Sequence, residues 1–158
     1  MARNEFEREV GELLRAIYPI AERLDDAAFN RAGQRQVRQK PWDYYGATID
    51  GKFWAAEVKR VKSPRFPLEN LKPHQRAGLI VAASVGLALV FINWRTDRKA
   101  GIAIMVPFDT YYQVEQAAMA NNRKSLKPKD FDSSWQLERV TGGWKVPDSL
   151  FAWVTACG

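Results

Sequence analysis

At 158 residues, 46% of them apolar, the chain can bury one full-sized core, and residues 1–158 are expected to form one globular domain. Its 24 Lys and Arg against 18 Asp and Glu leave a formal net charge of +6, which favours an acidic partner such as nucleic acid or an anionic membrane surface. The lack of any run of ~20 apolar residues excludes a spanning helix, and the lone Cys157 and single His74 exclude an internal disulfide, a cysteine–histidine zinc site and a histidine triad.

The N-terminus is polar where a signal peptide is apolar, so the chain is expected in the cytoplasm, with any metal on oxygen ligands. Residues 4–17 space Phe6, Val10, Leu13, Leu14 and Ile17 by threes and fours, the stripe of an amphipathic helix. Residues 31–40 carry Arg31, Arg35, Arg38 and Lys40 without an acid and are expected to be exposed. Aromatic and β-branched residues at 44–49 and 52–61 flank Asp50-Gly51, a turn dipeptide, and predict two antiparallel strands. A proline-containing loop then leads to a helix over about 73–85, where Pro73 suits the first turn. The apolar runs 87–94 and 101–106, split by the charged turn 96–99, predict buried strands in the centre of the sheet. A helix over 108–120 and a basic stretch follow, and the Trp-containing tail shows no assignable element. This order predicts an α/β domain with a mixed central sheet flanked by helices, whose strand order the sequence does not specify.

Chemistry concentrates at Asp43 and at Glu57-Val58-Lys59. Side chains alternate along a strand, so Glu57 and Lys59 share one face while Val58 points into the core. Two carboxylates are hard ligands that suit Mg²⁺, with Mn²⁺ able to substitute, and such an ion can support phosphodiester hydrolysis. A lysine beside them can orient or deprotonate a water, or as an ammonium stabilise developing negative charge. The same residues also fit an exposed strand face with an ordinary ion pair.

Hairpin register decides whether Asp43 joins that face, because a one-residue slip reverses every side chain. A two-residue turn at Asp50-Gly51 would set Asp43 against Val58, on the wrong face. A three-residue turn, Ile49-Asp50-Gly51, sets Thr48 against Lys52 and Asp43 against Glu57, with glycine where a left-handed residue is favoured. That turn, or an equivalent bulge near Asp43, is expected.

On the first helix, at roughly 100° per residue, Glu7 falls on the margin of the apolar stripe and could reach the sheet. Glu9 lies at the opposite margin and is its rival, and a solvated Glu7 fits equally well. Three basic runs could follow phosphates: 31–40; Arg60, Lys62 and Arg65; and 123–129. Lys72 and His74, at the start of the second helix, are further candidates for DNA contact, and His74 also fits as a cap. Trp42, Tyr44 and Tyr45 read as core or hairpin residues.

Asp43 with Glu57-Val58-Lys59 resembles the PD-(D/E)XK nuclease signature. The segment 66–75, Phe-Pro-Leu-Glu-Asn-Leu-Lys-Pro-His-Gln, is similar to the one that follows the Glu-x-Lys motif in RecU-type Holliday junction resolvases. The likeness spans residues 4–106. It implies a homodimeric, magnesium-dependent endonuclease that binds branched DNA and cuts four-way junctions in recombination, repair or phage DNA processing. Carried over, Asp43 and Glu57 would be metal ligands, Lys59 the catalytic lysine, Gln75 a supporting active-site residue and Glu7 the helix-one acid at the metal. Two departures stand out: proline lies two residues before Asp43 rather than adjacent, and no segment matches the protrusion that RecU proteins insert into the junction. A repair, restriction-like or phage nuclease of the same fold, and a non-catalytic DNA-binding protein, are the alternatives.

Overall fold

The computed structural model describes residues 4–25, 32–34, 39–95 and 99–155 in full, and the backbone of 27–29 and 35–37. Helix α1 (Glu5–Ile17) starts at Asn4, whose side-chain oxygen accepts the Glu7 N–H at 2.7 Å and so satisfies one of the open donors of the first turn. Phe6, Val10, Leu13 and Leu14 are buried and Ile17 packs against them, so the predicted stripe faces the core.

Three short strands follow, β1 (Ile20–Arg23), β2 (Ala27–Phe29) and β3 (Arg35–Val37), the last two paired as a hairpin. Then come β4 (Tyr44–Ala47), β5 (Phe53–Val61), β6 (Phe66–Pro67), a 3-10 turn at Leu68–Asn70, and α2 (Pro73–Val85). The second half runs β7 (Gly86–Trp94), β8 (Ile102–Pro107), α3 (Phe108–Ala120) and β9 (Ser125–Leu126). Turns at Pro128–Asp130 and Ser133–Trp135 precede β10 (Glu138–Val140), β11 (Gly143–Lys145) and α4 (Asp148–Thr155). Most of the turn expected at 96–99 lies outside the described residues.

The central sheet has the order β1-β4-β5-β7-β8, with β5 and β7 parallel and the other neighbours antiparallel. It is a mixed sheet flanked by helices, as predicted. On one face Trp54, Val58, Leu89, Phe91 and Met105 meet α1 and the C-terminal elements; on the other Ala55, Val61, Val90, Ile92 and Ile104 belong to the core that includes residues of α2 and α3. One expectation needs correction: β7 lies inside the sheet, but β8 is its last strand. It reads as buried because the Ser133–Trp135 turn packs over its edge, where Ile104 bridges Gln136 and the Leu137 N–H donates to Ala103 O at 2.9 Å. Among the described residues no helix is long and apolar enough to cross a membrane.

Candidate active site

The β4–β5 connection is the three-residue turn. The Thr48 N–H donates to Lys52 O and the Gly51 N–H to Thr48 O, both at 2.9 Å, and Gly51 has φ +76°. Tyr44 therefore pairs with Ala56. Just before it the Asp43 N–H also donates to Ala56 O, at 3.0 Å, so two successive residues meet one partner as in a bulge. The bulge aims Asp43 back at β5, where its Oδ2 accepts the Val58 N–H at 2.9 Å.

Alternation along β5 puts Val58 in the α1-side core, with Glu57 and Lys59 on the α2 side. The N-terminus of α2 supplies Gln75, which binds both. Gln75 Nε2 donates to Glu57 Oε1 at 2.6 Å, and Gln75 Oε1 accepts from Lys59 Nζ at 2.8 Å and from the Lys72 N–H at 3.0 Å. Lys59 Nζ also lies 2.9 Å from Glu57 Oε1. Lys40, expected along the DNA backbone, has its ammonium 2.8 Å from Asp43 Oδ1.

Glu57 is 1% exposed, and among the described residues its Oε2 is buried without a hydrogen-bond partner. Burial, then the neighbouring Asp43 charge, pushes its carboxyl up to about 8 against the opposing pull of Lys59 and Lys40. A buried, unpartnered carboxylate oxygen beside a second carboxylate fits a divalent cation, which would satisfy the oxygen and relieve the like-charge repulsion. The two acids that meet there, Asp43 and Glu57, offer carboxylate oxygens, which are hard donors.

The remaining candidates are distributed around this centre. Glu7 Oε1 accepts from Arg23 Nε at 2.9 Å, while its backbone carbonyl accepts the Tyr44 hydroxyl at 2.9 Å, so it is tied to the residue after Asp43. Among the described residues no three His, Cys, Asp or Glu side chains group as a metal site, and Glu7 does not close on the Asp43–Glu57 pair. Its rival Glu9 faces elsewhere, accepting from Arg95, Trp144 and Arg139. Lys62 and Arg65 are exposed on the loop after β5, Lys72 is exposed at the start of α2, and His74 is half-buried in its first turn. Alternation carries Arg60 to the α1 face, away from Lys59. Arg31, Arg38 and the side chain of Arg35 lie outside the described residues. The contact of Lys40 with Asp43 escaped sequence reasoning, although a lysine three residues before an acid in an irregular segment was a signal for it.

The sequence model of a family described as Recombination protein U, RecU, matches residues 26–147. Among solved structures the chain is similar to Hjc, a Holliday junction resolvase from the archaeal hyperthermophile Archaeoglobus fulgidus, at 20% identity over 94% of this chain and 89% of that one, with a TM-score of 0.45. Comparison with curated proteins gives no match.

Proposed function

The chain belongs to the RecU family, and we propose that it is a metal-dependent endonuclease that resolves four-way DNA junctions by phosphodiester hydrolysis at Asp43, Glu57, Lys59 and Gln75. One observation carries the chemistry: the buried, unpartnered Oε2 of Glu57 stands beside a second carboxylate and a lysine held by its own amide clamp. A sheltered carboxylate oxygen with no partner is costly for folding and useful for holding a cation. Asp43 and Glu57 would hold it; Mg²⁺ suits the hardness of the donors, and Mn²⁺ should replace it. When bound, the ion supplies an activated water and charge neutralisation at the phosphorane-like transition state.

The chain's own residues do the rest. Lys59 has three ammonium donors, of which two are directed to Gln75 and Glu57, leaving one for an oxygen of the scissile phosphate as negative charge builds there. Gln75 fixes both Lys59 and Glu57 from a helix terminus, which restricts their rotamers before DNA arrives. Glu7 is assigned a positioning part through Arg23 and Tyr44. Lys62, Arg65 and Lys72, together with the basic residues of 31–40, would follow phosphates and make binding steeply salt-dependent. A junction has near two-fold symmetry, so a homodimer would place one site on each of two equivalent strands.

The decisive experiment is cleavage of a labelled synthetic four-way junction with Mg²⁺, beside a matched linear duplex, by the native chain and by Asp43→Asn and Glu57→Gln. Paired nicks in the junction, lost in both variants while binding persists, are the expected result. Equal cutting of the duplex would make the protein a general nuclease of this fold, and binding without cutting would make it a DNA-binding protein.

A further inference from the structure

The two oxygens of Asp43 are in different situations. Oδ2 is fixed by the Val58 N–H of the central strand, whereas Oδ1 faces Lys40 Nζ at 2.8 Å. The pair is sheltered, with side-chain exposures of 15% for Lys40 and 9% for Asp43, so water screens it far less than a surface ion pair. Lys40 lies outside the strands, between β3 and β4, so its side chain can withdraw without breaking a sheet hydrogen bond. Lys59 sits on the strand itself, where Gln75 and Glu57 hold it.

Asp43 therefore already carries a cation on the oxygen that its strand hydrogen bond leaves available. We propose that Lys40 is the built-in counter-cation of the metal-free site: it neutralises Asp43 Oδ1, keeps the two carboxylates together, and yields that oxygen when a divalent ion binds. This rests on the metal site proposed above. The exchange has a consequence for selectivity. A monovalent ion would replace one unit charge by another and gain little, while a divalent ion brings a second charge that Glu57 can use. Lys40 thus sets the same displacement cost for any ion, and only a divalent ion recovers it through its second charge.

The test uses the full chain and Mn²⁺ as probe, with affinity read by titration calorimetry and melting temperature read with and without chelator. Lys40→Met, similar in length but uncharged, should bind Mn²⁺ roughly tenfold more tightly, the scale of a partly buried ion pair, and its metal-free form should melt lower than native. The metal-loaded forms should melt nearly alike. Lys40→Arg, which keeps the charge and can grip a carboxylate with two donors, should bind Mn²⁺ more weakly than native, and it keeps the test decisive if the Met variant folds poorly. Lys52→Met, on an exposed position of the β4–β5 hairpin, controls for net charge and should leave the affinity unchanged. Equal affinity in native and Lys40→Met, an equal gain in Lys52→Met, or weaker binding in Lys40→Met would each overturn the exchange while leaving the metal site standing. Absence of Mn²⁺ binding by the native chain would remove the metal site itself, and the exchange with it.

Discussion

Glu57 is under two opposed demands, one from folding and one from chemistry. Its carboxyl is held up at about 8, against a usual 4.5, by burial and then by the Asp43 charge. A raised acid contributes stability that is fully present below the unfolded value and is lost as pH rises through the folded one. The metal-free protein should therefore lose stability between pH 4.5 and about 8, on the order of a few kcal/mol by the linkage of such a shift. Glu57→Gln, which cannot ionise, should remove that loss: in chelator its denaturation midpoint should exceed the native one at pH 9, match it near pH 4, and cost all cleavage. A variant less stable than native at pH 9 would mean that the carboxylate is satisfied in a way the structure does not show. Glu57 and Lys59 share a face as strand alternation predicts, and the counted turn sets Tyr44 against Ala56, but a bulge sets Asp43 against Ala56 rather than against Glu57 as the count alone had it. The partners Lys40 and Arg23 were not legible in the sequence, since one contact depends on a bulge and the other on a strand pairing that no local pattern announces.

Between elements, the site depends on how closely α2 approaches the segment before β4. Gly78, in the interior of α2, faces Pro41: a Cβ there would lie 2.4 Å from Pro41 Cβ, 2.7 Å from its carbonyl oxygen and 2.9 Å from its Cα. Backbone cannot give way as a flexible side chain can, so any residue other than glycine must push 41–43 off the helix that carries Gln75. Gly78→Ala sets two effects against each other. Alanine favours the helix by roughly 1 kcal/mol, while the displaced loop moves Asp43 relative to Glu57, and a shift of about 1 Å at reacting groups can cost on the order of 100-fold in rate. We expect junction cleavage to fall at least about tenfold with only a small change in melting temperature. Unchanged cleavage would show that the loop absorbs the methyl group elsewhere. The glycine is itself a sequence signal, for an interior helical glycine needs a packing reason. It also gives the displaced proline of the motif a physical role, as the surface on which α2 rests. Helices α2 and α3 were legible to the residue, with Pro73 opening the first and the apolar run of β7 following it. Strand β1 was missed because four residues alternating beside a loop carry little signal, and β8 was misplaced because an edge strand covered by a turn has the composition of an interior one.

At the scale of the molecule, the sheet separates the face that carries Glu57, Lys59 and Gln75 from a second core that joins α1 to the C-terminal elements. There Glu9 of α1, 1% exposed, accepts from Arg95 on the way out of β7, from Arg139 of β10 and from Trp144 of β11, at 2.8, 3.0 and 2.8 Å. Tyr18 adds a bond from its hydroxyl to Val154 O of α4 at 3.0 Å. Strands of three residues and a helix of about two turns are too short to read from periodicity, because docking rather than local pattern forms them, and this is why the C-terminal tail was illegible. Burial pushes the Glu9 carboxyl up, but the bonds from Arg139, Trp144 and Arg95 more than reverse it and hold it below the usual range. A depressed acid has the opposite sign to Glu57: its stability is present above the unfolded value of 4.5 and lost as pH falls through the folded one. Between them the two acids set a metal-free stability maximum near the mildly acidic range, and a divalent ion, by taking the Glu57 carboxylate, should restore the alkaline side. Mn²⁺ should thus raise the melting temperature more at pH 8 than at pH 5. Glu9→Gln leaves the buried Arg95 to the more exposed Glu5 and should cost about 3 kcal/mol at neutral pH, with the difference from native shrinking below pH 4.5. Because Glu9 and Glu57 lie on opposite faces of the sheet, the variant should expose the segment from 136 onward to limited proteolysis while Mn²⁺ affinity stays native. Loss of metal affinity in step with that exposure would instead make the C-terminal core part of the site's own support.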